Sequence, residues 1–260
     1  MHGFEAIPAS SASDLLYVPL FRSAQRGVAP EDRIDTRIVV VNPGDEPALI
    51  GVRYFGSTNP AAAEACRGET FYHEPVTVTA GARHIFEQRQ GAAHDLPADC
   101  FGTAVLETAD PGQRIVAVVL DETNGRQLLS ANGAAPASAA ATRVALPLFR
   151  RNHVRLTTGI QVMNTGAATA TVGIAFSATD EETGGSTPIE GCDVCEQIIE
   201  PFQSYTWWPG AIDAIADGTF GSATVIADQP VVVLVNDYPF AGQADPATYL
   251  GIAVPDATTP

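Results

Sequence analysis

The residues able to do chemistry are few and scattered. Four cysteines stand at Cys66, Cys100, Cys192 and Cys195. Such residues can form disulfides, remain free thiols, or supply part of a zinc site. Zinc needs four ligands, and the single Cys-x-x-Cys has no second pair to complete it. The five histidines, His2, His73, His84, His94 and His153, show no His-Glu-x-x-His spacing. A Ser-His-Asp triad leaves no linear trace, but no Gly-x-Ser-x-Gly elbow is present for its serine. Gly221-Ser222 reads instead as a small-residue entry to a strand. Lysine is absent and all 14 basic residues are arginine, which excludes Schiff-base chemistry and a P-loop lysine. No catalytic residue and no metal ligand is assigned, and the chain reads as a non-enzyme.

Two further groups could bind rather than react. Asp180, Glu181, Glu182, Glu190, Asp193 and Glu196 gather the oxygen ligands that calcium favours, but without an Asp-x-Asp-x-Asp-Gly loop. No cofactor is expected, with calcium at this loop as the one alternative. Tyr205, Trp207 and Trp208 lie close together on a strand pattern. Alternation points Tyr205 and Trp207 one way and Trp208 the other. One face is expected to be core, while the other could take a sugar ring or a protein partner.

Composition narrows the partners. The formal net charge is −16, with 30 acidic against 14 basic residues, which argues against a nucleic-acid backbone. Hydrophobic residues make up 45% and charged residues 17%, the balance of a folded chain. No apolar run reaches the ~18 residues of a membrane span, so no membrane insertion is expected. Residues 1–5 lack the basic segment and apolar core of a signal peptide. An even cysteine count in a β-rich chain then predicts an extracellular or cell-surface protein whose leader has been removed.

The elements that must position these residues occur twice. Val18 to Arg22 (VPLFR) recurs as Leu146 to Arg150 (LPLFR). Arg33 to Asn42, followed by Pro-Gly, recurs as Arg155 to Asn164, followed by Thr-Gly. Phe101 to Asp121 recurs as Phe220 to Asn236, each reading as a β-hairpin around Asp110-Pro-Gly112 or Asp228-Gln-Pro230. The offset drifts from 128 (Pro19 to Pro147) to 122 (Asn42 to Asn164) and 119 (Gly102 to Gly221), so short loop changes align the copies. The divisions expected are an arm over 1–16, a module over 17–130, an Ala/Ser/Pro linker over 131–143, a second module over 144–253, and a tail over 254–260.

Each module reads as about seven short strands with turn signals every 8 to 12 residues and no capped helical stripe. The fold class expected is all-β: two tandem antiparallel immunoglobulin-like β-sandwich modules related by internal duplication. The motifs at Leu146 to Phe149, Thr158 to Gly166 and Phe220 to Asn236 resemble the tandem immunoglobulin-like repeats of bacterial secreted and cell-surface proteins. That resemblance implies fold and surface location and carries over no catalytic residue.

Within this division the economical cysteine pairing is Cys66 with Cys100 and Cys192 with Cys195, each inside one module. The first would close a loop worth roughly 3 to 4 kcal/mol. The runs Val231 to Val235 and Ile115 to Leu120 lack polar alternation, which implies cover on both faces. Val231, Val233, Val235, Val116 and Val118 are therefore expected to form a packing surface toward the sister module, an arm or another subunit. The function expected is structural or adhesive, with self-assembly into a filament or layer through sheet edges and apolar faces. The protein partner is the chain itself or a neighbouring surface protein; the alternative is a carbohydrate-binding module that uses the surface aromatics.

Overall fold

Along residues 33–41 every second side chain is buried, as RIDTRI alternates charged and β-branched residues before the run Val39 to Val41. The same physics shapes the whole chain. The computed structural model describes residues 11–26, 33–88, 94–123, 127–239 and 248–255, and among them there is no α-helix. The protein is all-β with antiparallel sheets, and it divides into two compact units, Met1–Ser138 and Ala139–Pro260.

Unit 1 contains β1 (Leu15–Ser23), β2 (Gln25–Arg26), β3 (Arg33–Val41), β4 (Ala48–Gly56), β5 (Thr70–Tyr72), β6 (Val76–Val78), β7 (Arg83–Glu87), β8 (Cys100–Thr108), β9 (Val116–Thr123), β10 (Gln127–Gly133) and β11 (Ala135–Pro136). One sheet runs β11-β1-β8-β4-β5, with β6 also on β4; the other runs β10-β9-β3-β2, with β7 also on β3. Leu16, Phe21, Ile50, Tyr54 and Leu106 of the first sheet pack with Ile38, Val40, Phe86, Ala117 and Val119 of the second in one sandwich-like core.

Unit 2 contains β12 (Ala141–Arg150), β13 (Leu156–Asn164), β14 (Ala170–Thr179), β15 (Ser186–Pro188), β16 (Glu196–Ile199), β17 (Ser204–Trp207), β18 (Phe220–Pro239), β19 (Thr248–Leu250) and β20 (Ile252–Ala253). The order is β15-β14-β18-β12-β20, with β16 also on β14. The second half of β18 pairs with β13 and β19, and β17 adds to β13.

Three expectations are corrected. The two apparent hairpins do not pair back on themselves. β8 lies in one sheet and β9 in the other, while β18 runs unbroken and changes partner from β14 at Ala227 to β13 at Val231. Asp228 and Pro230 are absorbed there: Asp228 accepts the Thr171 amide at 2.8 Å and the Pro230 carbonyl accepts the Thr165 amide at 2.9 Å. The expected linker 131–143 is largely strand, because small side chains such as Ala134 and Ala135 fit a sheet edge as readily as they fit a tether. Residues 11–16 of the expected arm are bound into unit 1, where Ser13 bridges Ile115 and Leu16 enters the core. Residues 1–10 and 256–260 lie outside the described residues.

A buried polar frame occurs in each unit. Arg22 donates to Asp121, Thr36 donates its hydroxyl to Asp121 at 2.6 Å, and the Arg22 amide donates to Thr36 Oγ1 at 2.8 Å. Arg150, Asp237 and Thr158 make the same three bonds. Asn42 donates to the Glu46 and Val78 carbonyls and accepts the Gly44 amide; Asn164 does the same with Ala168, Ile199 and Gly166. Gly102 and Gly221 explain the Phe-Gly motif. A Cβ on either would lie 1.9 Å from a carbonyl, of Phe55 or Ser177, on the neighbouring strand.

Candidate functional site

The cysteines are all oxidised. Cys66 is bonded to Cys100 and Cys192 to Cys195, with Cα atoms 5.4 Å apart in both. The first pair is fully buried and ties the loop after β4 to the start of β8. The second is half-buried, and within its short ring the Val194 carbonyl accepts the Trp207 indole N–H at 3.0 Å. Both bonds fit an oxidising environment. Among the described residues no helix is long and apolar enough to cross a membrane.

The aromatic trio divides as strand alternation requires. Trp207 is 1% exposed and lies in the unit 2 core, with Tyr205 edge-on to it at 4.8 Å. Trp208 is 38% exposed on the opposite side, beside Tyr238 at 5.5 Å. Its ring is seated on two glycines: a Cβ on Gly210 would stand 2.6 Å from the indole nitrogen, and one on Gly159 would meet both Trp208 and Tyr238. Tyr238 has no sequence signal linking it to Trp208. Their proximity comes from β13, which lies between their strands.

The expected packing surface is corrected. Val231, Val233 and Val235 are the interior of unit 2 itself. Val232 and Leu234, on the reverse of the same strand, are also buried. In unit 1 the side chains of Val116 and Val118 are half-buried, while Ile115, Ala117 and Val119 enter the core. The five residues therefore do not share a face. Asp121 corresponds to Asp237 through the polar frame, not to Asn236, and a one-residue slip turns every strand side chain to the other side.

Another face is open. In β14, β18 and β12 the inward residues are Val172, Ile174, Val225 and Val144, so Gly173, Ala175, Thr224, Ile226, Arg143 and Ala145 face outward. Arg143, Ile226, Gly173 and Glu196 lie side by side on four adjacent strands, and Ile252, Ala145, Thr224 and Ala175 form the next row. Ile226 is 51% exposed and Ile252 58%; Ile198, on β16 opposite Thr171, is 63% exposed. The matching place in unit 1 is charged. There Glu107 stands opposite Gly51 and pairs with Arg53 at 3.3 Å.

The structure also gathers three histidines that show no spacing pattern. His73 and His94 stack with ring centres 3.9 Å apart, His94 touches Phe86, and His84 lies edge-on to Phe86. Gln88 donates to the Tyr54 hydroxyl at 2.6 Å, and that hydroxyl shares a hydrogen bond with His94 Nδ1 at 3.2 Å. Burial, then the neighbouring His73 and His84, push His94 down to about 4. Burial also lowers His73 and His84 and raises Tyr54. In unit 2 the corresponding pair is Tyr205 and Trp207, at the same 4.8 Å edge-on contact as His84 and Phe86.

The acidic loop is solvated. Asp180, Glu181, Glu182, Glu190, Asp193 and Glu196 are all exposed. Asp180 Oδ1 accepts the Thr183 amide, the Thr183 hydroxyl and the Glu182 amide, and these bonds hold its carboxyl below the usual range. Among the described residues no three His, Cys, Asp or Glu side chains stand together as an ion would need.

No family model matches this chain, and no curated protein matches it. Among solved structures, red sea bream transglutaminase is similar at 10% identity, covering 94% of this chain and 32% of that one with a TM-score of 0.19. The chain therefore spans well under half of the transglutaminase's length, and a likeness at that score carries no argument about activity.

Proposed function

We propose that this is a non-enzymatic extracellular or cell-surface protein with a structural or adhesive role, built of two tandem immunoglobulin-like β-sandwich modules related by internal duplication. The observation that carries the reading is the doubled buried frame. Arg22, Thr36, Asp121 and Asn42 bond to one another and to the backbone as Arg150, Thr158, Asp237 and Asn164 do. Strand pairing supports it: β1, β8, β4 and β5 match β12, the first half of β18, β14 and β15, while β10, β9, β3 and β7 match β19, the second half of β18, β13 and β17. The hydrogen-bonded polar groups of this frame are thus spent on holding strands together. The two disulfides support an extracellular location.

In this reading the protein assembles with itself into a filament or layer through exposed sheet faces and edges, and the three exposed isoleucines of unit 2 support that. Electron microscopy at native concentration tests it. Ordered assemblies or discrete oligomers are expected, and a uniform field of monomers contradicts it.

One observation favours a second reading, a carbohydrate-binding module. Trp208 is seated on Gly159 and Gly210 beside Tyr238 and leaves part of its ring exposed, an arrangement that suits a pyranose. A glycan array comparing wild type with Trp208→Ala decides it. Binding lost in the variant supports the site, and silence from the wild type retires it.

A further inference from the structure

We infer that the outer face of the β16-β14-β18-β12-β20 sheet docks a second copy of this chain about a twofold axis, setting Arg143 of one copy against Glu196 of the other. The inference rests on the self-association reading above and names its surface and register.

The argument starts from the row Arg143, Ile226, Gly173, Glu196 on β12, β18, β14 and β16. Adjacent strands lie about 4.8 Å apart, which sets the Cα atoms of Arg143 and Glu196 about 14 Å apart across the row. Both side chains are exposed, and neither has an ion-pair partner among the described residues. The row reads cation, bulky apolar, no side chain, anion. Turned about a twofold axis parallel to the strands and laid on itself, it sets Arg143 against Glu196 and Ile226 over Gly173. Such self-complementarity is what an isologous interface requires.

Charge favours the same occupant. The chain carries −16, so most pairs of its surfaces meet acid against acid. On this face the exposed charges of the row are balanced, the row on one side, Ile252, Ala145, Thr224, Ala175, has none, and the row on the other carries Asp228, whose carboxylate accepts the Thr171 amide and which the twofold sets away from its counterpart in the other copy. Small residues let the two sheets approach closely. In unit 1 the residue at the place of Ile226 is Glu107, already paired with Arg53, so that face offers no such match.

The test uses the full chain and measures mass by size-exclusion chromatography with light scattering across a concentration series. Wild type is expected to associate. Arg143→Glu and Glu196→Arg should each weaken association by about tenfold or more through like-charge contacts, and the double variant should restore it. Ile226→Arg should give a monomer. These positions are exposed, and near-UV circular dichroism verifies that the fold is kept. Association of the wild type that none of the variants changes overturns the face while leaving self-assembly standing. Failure of the double variant to recover overturns the Arg143–Glu196 register. A wild type that stays monomeric throughout overturns both the face and the self-assembly reading.

Discussion

Arg150, half-buried, pairs with the buried carboxylate of Asp237, and Thr158 completes the pair by donating its hydroxyl to the other carboxylate oxygen at 2.6 Å. The three residues sit on β12, β18 and β13, so the pair ties β12 to the part of β18 that has already passed to β13. Removing Asp237 leaves the half-buried Arg150 guanidinium without its carboxylate and the Thr158 hydroxyl without its acceptor. Asp237→Ala is expected to destabilise unit 2 by about 3 to 5 kcal/mol, while a paired apolar replacement such as Arg150→Met with Asp237→Leu costs much less. Urea unfolding measures both, and equal losses would contradict the tie.

The two disulfides differ in what they constrain. Cys66–Cys100 closes 34 residues, whereas Cys192–Cys195 closes 3. Replacing the first pair by alanine should cost roughly 3 to 4 kcal/mol, and replacing the second roughly 1.5 kcal/mol. Denaturant midpoints of the two double variants rank them.

Acid should act on unit 1 through His94. Its folded-state value, about 4, lies below the ordinary 6.5 because burial and two neighbouring imidazoles disfavour the cation. The unfolded chain therefore takes up the proton first as pH falls. This contribution to stability is complete above about 6.5 and is lost as pH falls from about 6.5 to 4. His94→Phe keeps a ring against His73 and Phe86 and removes the titration. Thermal unfolding of the two proteins from pH 7.5 to 4 should diverge, with the variant's curve flatter; parallel curves would contradict this.

Neighbouring tryptophans should behave oppositely. Trp207→Ala opens a cavity among Ile160, Tyr205 and the Val194 loop and should cost about 3 to 5 kcal/mol. Trp208→Ala removes a ring that is 38% exposed and packs on Gly159, Gly210 and Tyr238, and should cost less, about 1 to 2 kcal/mol. Chemical denaturation separates them.

The strand pattern, the turns after Asn42 and Asn164 and the cysteine partners were legible because each depends on nearby residues or on counting within one unit. Asn42 and Asn164 announced themselves through the Gly that follows two residues later, whose amide each accepts. What the chain did not announce depends on register. Assigning Asp121 to Asn236 instead of Asp237 slips the second strand by one residue and turns Val231, Val233 and Val235 from core to surface. The signal that corrects it is Arg150 with Thr158, since both need a carboxylate within reach. The histidine cluster left no trace because His73, His84 and His94 come from three different segments that only the sandwich brings together. The row from Arg143 to Glu196 is hidden for the same reason: its four residues belong to four strands.

The claim that this is a self-assembling structural protein is tested most directly by sedimentation equilibrium of the wild type. One chain weighs 27.2 kDa. The account predicts a weight-average mass that rises with concentration to at least twice that value. A mass that stays at a single chain over the full accessible range would contradict it.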